Sequence, residues 1–169
     1  MVLALGSNLG DRLASLQAGL DILAALPGLG PLAVSPVYET APVGGPAQDD
    51  YLNAVVIAET ELPARAILER AQQAEAARGR VRAEHWGPRT LDVDLIVCGA
   101  EVSDDPELTL PHPWAHQRAF VLAPWHDLDP AAQIPGRGRV ADLLAKIGDT
   151  GVRRAPGPGL RPPGAGRES

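Results

Sequence analysis

Two carboxylates, Asp92 and Asp94, carry the strongest chemical signal in this sequence. They lie in the run 91–96, Leu-Asp-Val-Asp-Leu-Ile, in which apolar and acidic residues alternate. This alternation predicts a strand with Leu91, Val93 and Leu95 in the core and both carboxylates on the other face. Mg²⁺ is usually bound through one or two carboxylates together with substrate phosphates. The pair therefore predicts a magnesium site, although a solvated acidic strand face is the alternative for an isolated Asp-x-Asp.

Arginines close to this pair favour the magnesium interpretation. Arg80, Arg82 and Arg89 lie in the Gly- and Pro-containing segment 79–90, and Arg118 follows the strand. Guanidinium groups match phosphate geometry with paired hydrogen bonds. Magnesium with arginines is typical of phosphoryl transfer, in which positioning and charge neutralisation supply most of the catalysis. The candidate catalytic residues are accordingly Arg80, Arg82, Arg89, Asp92 and Asp94.

Two motifs that would indicate other nucleotide-binding folds are missing from the sequence. It contains no Gly-x-x-x-x-Gly-Lys-Ser/Thr, and no Gly-x-Gly-x-x-Gly between a strand and a helix. Those glycines would be needed to wrap backbone amides around phosphates. The sequence therefore predicts neither a P-loop enzyme nor a dinucleotide-binding fold.

A second group of residues could recognise a flat heterocycle. Tyr51 and Asn53 share one face of a predicted strand, and the segment 38–44 precedes them. An aromatic ring supplies stacking, and an amide supplies a paired donor and acceptor. Ordinary packing at a strand end is the alternative.

A histidine between two prolines forms the third candidate group. His112 lies between Pro111 and Pro113, ahead of Arg118 and Phe120. This setting predicts a contact with phosphate or nucleotide, although an isolated histidine is more often structural.

The overall composition excludes several classes of protein. The formal net charge of −6 argues against a non-specific nucleic-acid binder, which normally has a basic surface. Cys98 is the only cysteine, so an intrachain disulfide is excluded, and its apolar surroundings predict a small core residue. The sequence has no signal-peptide pattern and no apolar run long enough to span a membrane. We therefore expect a cytoplasmic protein.

The elements that must position these groups follow from hydrophobic periodicity. Strands are predicted at 2–5, 33–40, 51–60 and 91–97, and helices from Asp11 to Pro27 and after Pro63. This β-α-β-β-α-β order predicts a ferredoxin-like α+β fold, with a mainly antiparallel sheet and both helices on one face. Gly6-Ser7-Asn8 is predicted as a turn.

The second half of the chain gives weaker signals. A turn is predicted at 111–113 and a short helix at 140–147. Residues 155–169 contain four prolines and four glycines, a composition that predicts a disordered tail after a single domain at 1–154.

Taken together, these segments resemble the 6-hydroxymethyl-7,8-dihydropterin pyrophosphokinases. The matching stretches, in family order, are 5–10, 38–42, 51–54, 79–82, 86–96, 110–113 and 118–120. The resemblance implies a three-layer α-β-α version of the ferredoxin-like core. It also implies transfer of diphosphate from ATP to a pterin hydroxymethyl group, with release of AMP, in tetrahydrofolate biosynthesis. Loops 6–10, 41–48 and 79–90 would close over ATP.

The resemblance also implies roles for individual residues. Asp92 and Asp94 would hold two Mg²⁺ ions. The pterin site would comprise Thr40, Ala41, Pro42, Val43, Tyr51, Asn53, Trp86, Asp92 and Phe120, with the ring between Tyr51 and Phe120. The ATP site would comprise Gln72, Glu75, Arg82, Trp86, Leu95, Thr109, His112 and Arg118. From the sequence itself, nothing demands more than a monomer, and we expect no nucleic-acid or membrane partner. Ala83 and Glu107 depart from the family pattern, which often has Lys and Arg there.

Two functions from other classes stay open as alternatives. In nucleotidyltransferases of the Gly-Ser…Asp-x-Asp kind, the Gly-Ser lies shortly before the carboxylates, whereas Gly6-Ser7 is far from Asp92 here. A non-catalytic ferredoxin-like binding module is the other, but such a module does not need paired carboxylates and several loop arginines together.

Overall fold

An antiparallel sheet with helices on both faces forms the framework of the protein. The computed structural model describes residues 1–42, 45, 47–79 and 90–163. Its strands are β1 (Val2–Ser7), β2 (Ala33–Val34), β3 (Tyr38–Thr40), β4 (Tyr51–Ile57), β5 (Asp92–Val97), β6 (Ser103–Asp105), β7 (Leu108–Leu110), β8 (Gln133–Ile134), β9 (Gly138–Arg139) and β10 (Val152–Arg154). Its α-helices are α1 (Arg12–Ala24), α2 (Ala64–Ala77), α3 (Ala119–Leu128) and α4 (Val140–Ile147).

The strand order confirms the ferredoxin-like prediction. The main sheet runs β10-β3-β4-β1-β5, with β2 paired to β4, and every described pairing within it is antiparallel. The core β1-α1-β3-β4-α2-β5 is the expected β-α-β-β-α-β unit. Strand β10 extends this sheet at the β3 edge and was not predicted.

The first helical layer forms as its periodicity predicts. Leu16, Leu20 and Leu23 lie on one side of α1 and are fully buried. The helix begins after Asp11, whose carboxylate accepts a hydrogen bond from the Ala14 amide at 3.1 Å. Helix α2 begins directly after Pro63 and packs beside α1 against β5. Both helices therefore cover one face of the sheet.

The opposite face is covered by α3, which periodicity did not predict. Val121, Leu122 and Trp125 are buried in a second cluster with Val55 and Ile96 of the sheet. Helix α4 packs on α3 and has the bounds predicted for a short helix. The three-layer α-β-α arrangement implied by the family resemblance is thereby confirmed.

Several strand boundaries differ from the sequence prediction, and β4 ends at Ile57 and not at residue 60. Strand β1 continues through Gly6 and Ser7, so the predicted turn begins only at Asn8. The segment 33–40 is divided into β2 and β3 around Pro36, a residue that cannot donate a hydrogen bond to a ladder.

The C-terminal segment makes defined contacts as far as residue 163. The Ala155 amide donates to the Val37 carbonyl at 2.8 Å. Gln17 of α1 exchanges two hydrogen bonds with the Arg161 backbone, at 2.9 and 3.0 Å, and Leu160 packs against the α1/α2 core. Residues 164–169 lie outside the described residues. The disorder expected of 155–169 and the domain boundary at 154 stay predictions.

Candidate active site

The predicted site residues of β3, β4 and β5 meet on one face of the sheet, together with Gly6 of β1. Thr40 pairs with Tyr51, Asn53 pairs with Gly6, and Gly6 pairs with Asp92 on its other side. Their face is the one covered by α3, because Val55 and Ile96 belong to the α3-side cluster and each lies two residues along its strand from Asn53 and Asp94, on the same face. We call these residues the site row: Thr40, Tyr51, Asn53, Gly6, Asp92 and Asp94.

The two carboxylates have the environment that the strand pattern predicts. Asp92 and Asp94 are half-buried, whereas Leu91 and Val93 are 0% and 4% exposed on the α1/α2 side. Two aligned carboxylates are a fitting donor set for a hard cation. Within the described residues, no group of three or more His, Cys, Asp or Glu side chains could hold a metal ion. The pair would therefore supply two protein ligands, and the other ligands would have to come from substrate or water.

Asn53 is held in a defined orientation at the other end of the row. Its side chain is buried, and its Nδ2 donates to Thr40 Oγ1 at 2.7 Å. This bond turns Asn53 Oδ1 toward β1, where a Cβ atom added to Gly6 would come within 3.0 Å of it. The amide therefore has a fixed acceptor on the side that faces Asp92.

Gly6 keeps the middle of the row open. A Cβ atom at this position would also lie 3.4 Å from Tyr51 Cδ1. Because glycine has no side chain, the surface between Asn53 and Asp92 is flat and leaves room for a planar group. Sequence reasoning assigned Gly6 to a turn and missed this role, since it depends on the pairing of β1 with β4 and β5.

Phe120 and Arg118 approach the same face from the start of α3. Phe120 is half-buried and packs against the α3-side cluster, and the Arg118 guanidinium carbon lies 5.6 Å from its ring centroid. This distance is within the range of cation–π contacts. The structure thus brings Tyr51 and Phe120 to one face, and the predicted sandwich of a ring between them stays a prediction.

The predicted ATP residues lie on or beside β5, the edge strand of the described main sheet at the end opposite β10. Glu75 of α2 is 5% exposed, and its Oε2 accepts a hydrogen bond from the Val93 amide at 3.4 Å. Gln72, one turn earlier, is exposed. The Leu95 side chain is 5% exposed in the α1/α2 core, so little of it is available to a ligand. Thr109 is half-buried and donates to the Asp105 carbonyl at 3.0 Å.

Glu107, one of the departures from the family pattern, lies two residues before Thr109 and forms an ion pair with Arg65. Arg65 of α2 contacts Asp105 at 2.9 Å and Glu107 at 3.4 Å. A carboxylate at position 107 is thus matched by a cation from α2.

His112 is fixed next to β5 by its backbone. Its amide donates to the Ile96 carbonyl at 2.8 Å, and its Nδ1 accepts from the Trp114 amide at 3.2 Å. Because Nδ1 accepts, the neutral ring carries its proton on Nε2 and can donate one hydrogen bond there. Burial, together with the charge of Arg118, lowers the pKa of His112 to about 4. The ring is therefore a neutral donor near pH 7.

We expect His112 to titrate near pH 4 in the folded protein and near its ordinary pKa of about 6.5 when unfolded. Between these values the unfolded chain binds more protons at this position. Stability should therefore fall as pH drops from about 6.5 to about 4, and should be independent of His112 above that range. NMR titration of the imidazole Cε1–H, assigned with His112→Asn, measures this. A midpoint near 6.5 in the folded protein would contradict it.

Several predicted residues lie outside the described residues. These are Val43, Arg80, Arg82, Trp86 and Arg89. Their assignments stay predictions. Ala41 and Pro42 are described directly after β3, exposed and half-buried respectively.

Sequence reasoning also missed residues that hold the loops beside the row. Asn8 Nδ2 donates to Gln48 Oε1 at 2.8 Å and to the Asp49 carbonyl at 3.0 Å. Tyr38 donates a hydrogen bond to Asp127 of α3, which also pairs with Arg154. Burial, then the bond to Asp127, raise the pKa of Tyr38, so it stays a donor. No local pattern signals these contacts, because each joins distant segments.

Comparisons with known proteins cover most of the chain. The family model described as 7,8-dihydro-6-hydroxymethylpterin-pyrophosphokinase (HPPK) matches residues 2–130. Three relatives carry the name 2-amino-4-hydroxy-6-hydroxymethyldihydropteridine pyrophosphokinase. The one from Mycobacterium tuberculosis is 48% identical over 87% of this chain and 83% of its own length. Those from Methylorubrum extorquens and Pseudomonas aeruginosa are 44% and 40% identical, over 90% and 91% of this chain and 96% and 95% of theirs.

Solved structures share the fold at low sequence identity. The Plasmodium falciparum HPPK-DHPS crystal structure with pterin and p-hydroxybenzoate matches with a TM-score of 0.63 and 14% identity. The match covers 90% of this chain and 44% of that one. A second HPPK-DHPS structure, in complex with substrates, matches with a TM-score of 0.63 and 12% identity, over 86% of this chain and 42% of that one. This chain therefore spans less than half the length of these solved proteins, and the likeness extends to the fold alone.

Proposed function

The chain belongs to the 7,8-dihydro-6-hydroxymethylpterin-pyrophosphokinase family, and from this we propose that the site row is where it joins its two substrates. The protein is an ATP-dependent diphosphotransferase of folate biosynthesis. It transfers diphosphate from ATP to the hydroxymethyl group of 6-hydroxymethyl-7,8-dihydropterin and releases AMP.

One observation carries the assignment of the site. A buried, oriented amide at Asn53 and a half-buried carboxylate at Asp92 lie on the same sheet face, with only Gly6 between them. The first suits the edge of a heterocycle, and the second suits a cation that binds phosphate. A pterin seated over Gly6 would extend toward Asp92, so its hydroxymethyl group would approach the phosphates.

The chain's own residues would act by binding and alignment. Asn53 and Thr40 would bond the pterin edge, and Tyr51 and Phe120 would stack on its faces. Arg118 and the neutral His112 would hold ATP beside β5. The pterin hydroxyl oxygen would then bond to the β-phosphorus as the bond from that phosphorus to the AMP oxygen breaks, and the hydroxyl proton would pass to solvent. Alignment of this kind can supply several kcal/mol of the barrier reduction.

Asp92 and Asp94 fit a magnesium site, and the family resemblance suggests two ions. Bound Mg²⁺ would neutralise the phosphate charge that develops during transfer. The remaining residues of the proposed phosphate site, Arg80, Arg82 and Arg89, would act with it.

The proposal extends to the cellular location and the oligomeric state of the protein. A search of the described helices finds none long and apolar enough to cross a membrane. The single cysteine allows no intrachain disulfide, which fits a reducing, cytoplasmic compartment, and nothing in the proposed reaction requires more than a monomer.

Product identity tests the reaction directly. We expect MgATP and 6-hydroxymethyl-7,8-dihydropterin to yield AMP and a pterin diphosphate in equal amounts, measured by ion-pair chromatography with mass detection. Release of ADP with a pterin monophosphate would instead mean an ordinary kinase. Pyrophosphate with a nucleotidylated pterin would mean a nucleotidyltransferase, and absence of any product would favour a binding module.

A further inference from the structure

Two consecutive arginines of the C-terminal strand β10 form ion pairs on opposite faces of the sheet edge. Arg153 and Arg154 of β10 pair with Glu39 and Tyr38 of β3, respectively. Since neighbouring residues of a strand point to opposite faces, Arg154 reaches Asp127 on the α3 side. Arg153 lies on the α1 side, where its Nη2 is 3.3 Å from Glu39 Oε1 and 3.3 Å from Asp50 Oδ2.

Arg153 shares its acidic partners with a second arginine. Arg12, the first residue of α1, donates from Nη1 to the Asp50 carbonyl at 2.9 Å, and the same nitrogen lies 3.6 Å from Glu39 Oε1. These contacts form a closed ring, in which Arg12 reaches Asp50 through its backbone carbonyl, and we call it the charge ring. Its members are Arg12, Glu39, Asp50 and Arg153.

Two members of the charge ring are direct neighbours in sequence of residues in the site row. Glu39 immediately precedes Thr40, and Asp50 immediately precedes Tyr51, two members of the site row. Thr40 and Tyr51 are themselves paired across β3 and β4. A change in the backbone position of Glu39 or Asp50 would therefore also move Thr40 or Tyr51, because each is the next residue along the chain.

Removing Arg153 would unbalance the ring. Asp50 would keep the bond from Arg12 to its carbonyl, but its carboxylate would lose the Arg153 guanidinium. Glu39 and Asp50 would then be two like charges with one cation between them, and their repulsion would favour separation of the two segment ends.

The exposure of the ring limits the size of the effect. The side chains of Arg153 and Asp50 are 59% and 36% exposed, and that of Glu39 is 21% exposed. Exposed ion pairs add little to global stability. The consequence of losing one is therefore expected in the local position of Thr40 and Tyr51 and not in the folding of the domain.

We propose that Arg153 is a positioning residue for the pterin substrate, which acts by holding Glu39 and Asp50 and thereby fixing Thr40 and Tyr51 in the site row. This role rests on the proposed pterin site. Arg153 itself lies outside residues 2–130, the part of the chain that matches the family model.

Steady-state kinetics of Arg153→Gln test the role. We expect the KM for the pterin to rise about threefold to fivefold, with kcat and the KM for ATP within about twofold of wild type, the scale of one exposed ion pair. Arg153→Lys should recover most of the loss. The difference from wild type should shrink at high salt, where exposed charges are screened. Lys146→Gln, an equal charge change on exposed α4, is the matched control and should leave both KM values unchanged.

Hydrogen exchange provides a measurement that needs no turnover. Amides of residues 50–53 should exchange faster in Arg153→Gln than in Lys146→Gln, with the melting temperature unchanged. Wild-type protection and an unchanged pterin KM in Arg153→Gln would overturn the role of Arg153 while leaving the reaction intact. If wild type itself formed no AMP, the proposed function would fail, and exchange alone would decide whether Arg153 holds this segment.

Discussion

Asp92→Asn and Asp94→Asn are each expected to lower kcat roughly 1,000-fold or more, because each removes one of the two carboxylates available to the proposed metal–phosphate site. An amide is similar in size to a carboxylate but carries no charge. Asp92 and Asp94 are half-buried on the sheet face and not in the apolar core, so both variants should fold. The measurement is AMP release under saturating ATP and pterin across a range of Mg²⁺ concentrations, with far-UV circular dichroism to verify folding.

The control for these variants is a carboxylate elsewhere on the surface. Asp142 is exposed in the first turn of α4, a helix that packs on α3, and Asp142→Asn makes the same chemical change. We expect its activity to match wild type. If Asp92→Asn and Asp94→Asn kept activity within tenfold of wild type, and with the same Mg²⁺ dependence, the two residues would not be the metal ligands.

The strand that bears this pair was predictable because its signal is local. Alternation of Leu91, Val93 and Leu95 with the two carboxylates specifies a face without reference to any other segment. The helices α1 and α2 were predictable for the same reason, since their apolar stripes and the flanking Asp11 and Pro63 lie within one stretch of chain.

The elements that were missed lack a local signal. The first seven residues of helix α3, 119–125, are all apolar and include Pro124, so neither an apolar stripe nor the usual absence of proline marks this segment as a helix. Strand β10 has three residues, two of them arginines, and becomes a strand only because β3 offers it a partner edge. The ion pairs that Arg153 of β10 makes in the charge ring could not be predicted for the same reason.

The site row shows the same division between local and distant information. Tyr51 and Asn53 could be placed on one face from their spacing. That Gly6 lies between Asn53 and Asp92 depends on the register of β1 with two strands, one more than 40 residues and the other more than 80 residues away in sequence. The family resemblance assigned these segments to one site, because the family motifs occur together and can be recognised without knowledge of the strand pairing.

Asn53→Ala is expected to lower kcat/KM for the pterin roughly 100-fold or more. The amide would supply both a donor and an acceptor to the ring edge, and a site built for such bonds discriminates strongly when one partner is lost. Thr40 Oγ1 would also lose its 2.7 Å donor inside the protein. Binding of MgATP, measured by isothermal titration calorimetry, should be unchanged, because Asn53 lies on β4 and the proposed ATP residues flank β5.

Ser35→Ala is the matched control for the stability that Asn53→Ala also loses. Ser35 is buried like Asn53, and its Oγ accepts from the Val55 amide at 2.8 Å, two residues along β4 from Asn53. Each variant removes a buried hydrogen bond of β4, at a cost of about 1–3 kcal/mol in the free energy of unfolding. Ser35→Ala also removes the half-buried bond from the Ser35 hydroxyl to the Pro36 carbonyl at 2.9 Å, so its loss of stability should be at least as large. Similar losses of stability with a large loss of pterin turnover in Asn53→Ala alone would assign Asn53 to substrate recognition. Equal losses of turnover in both would mean that Asn53 acts through the stability of the sheet.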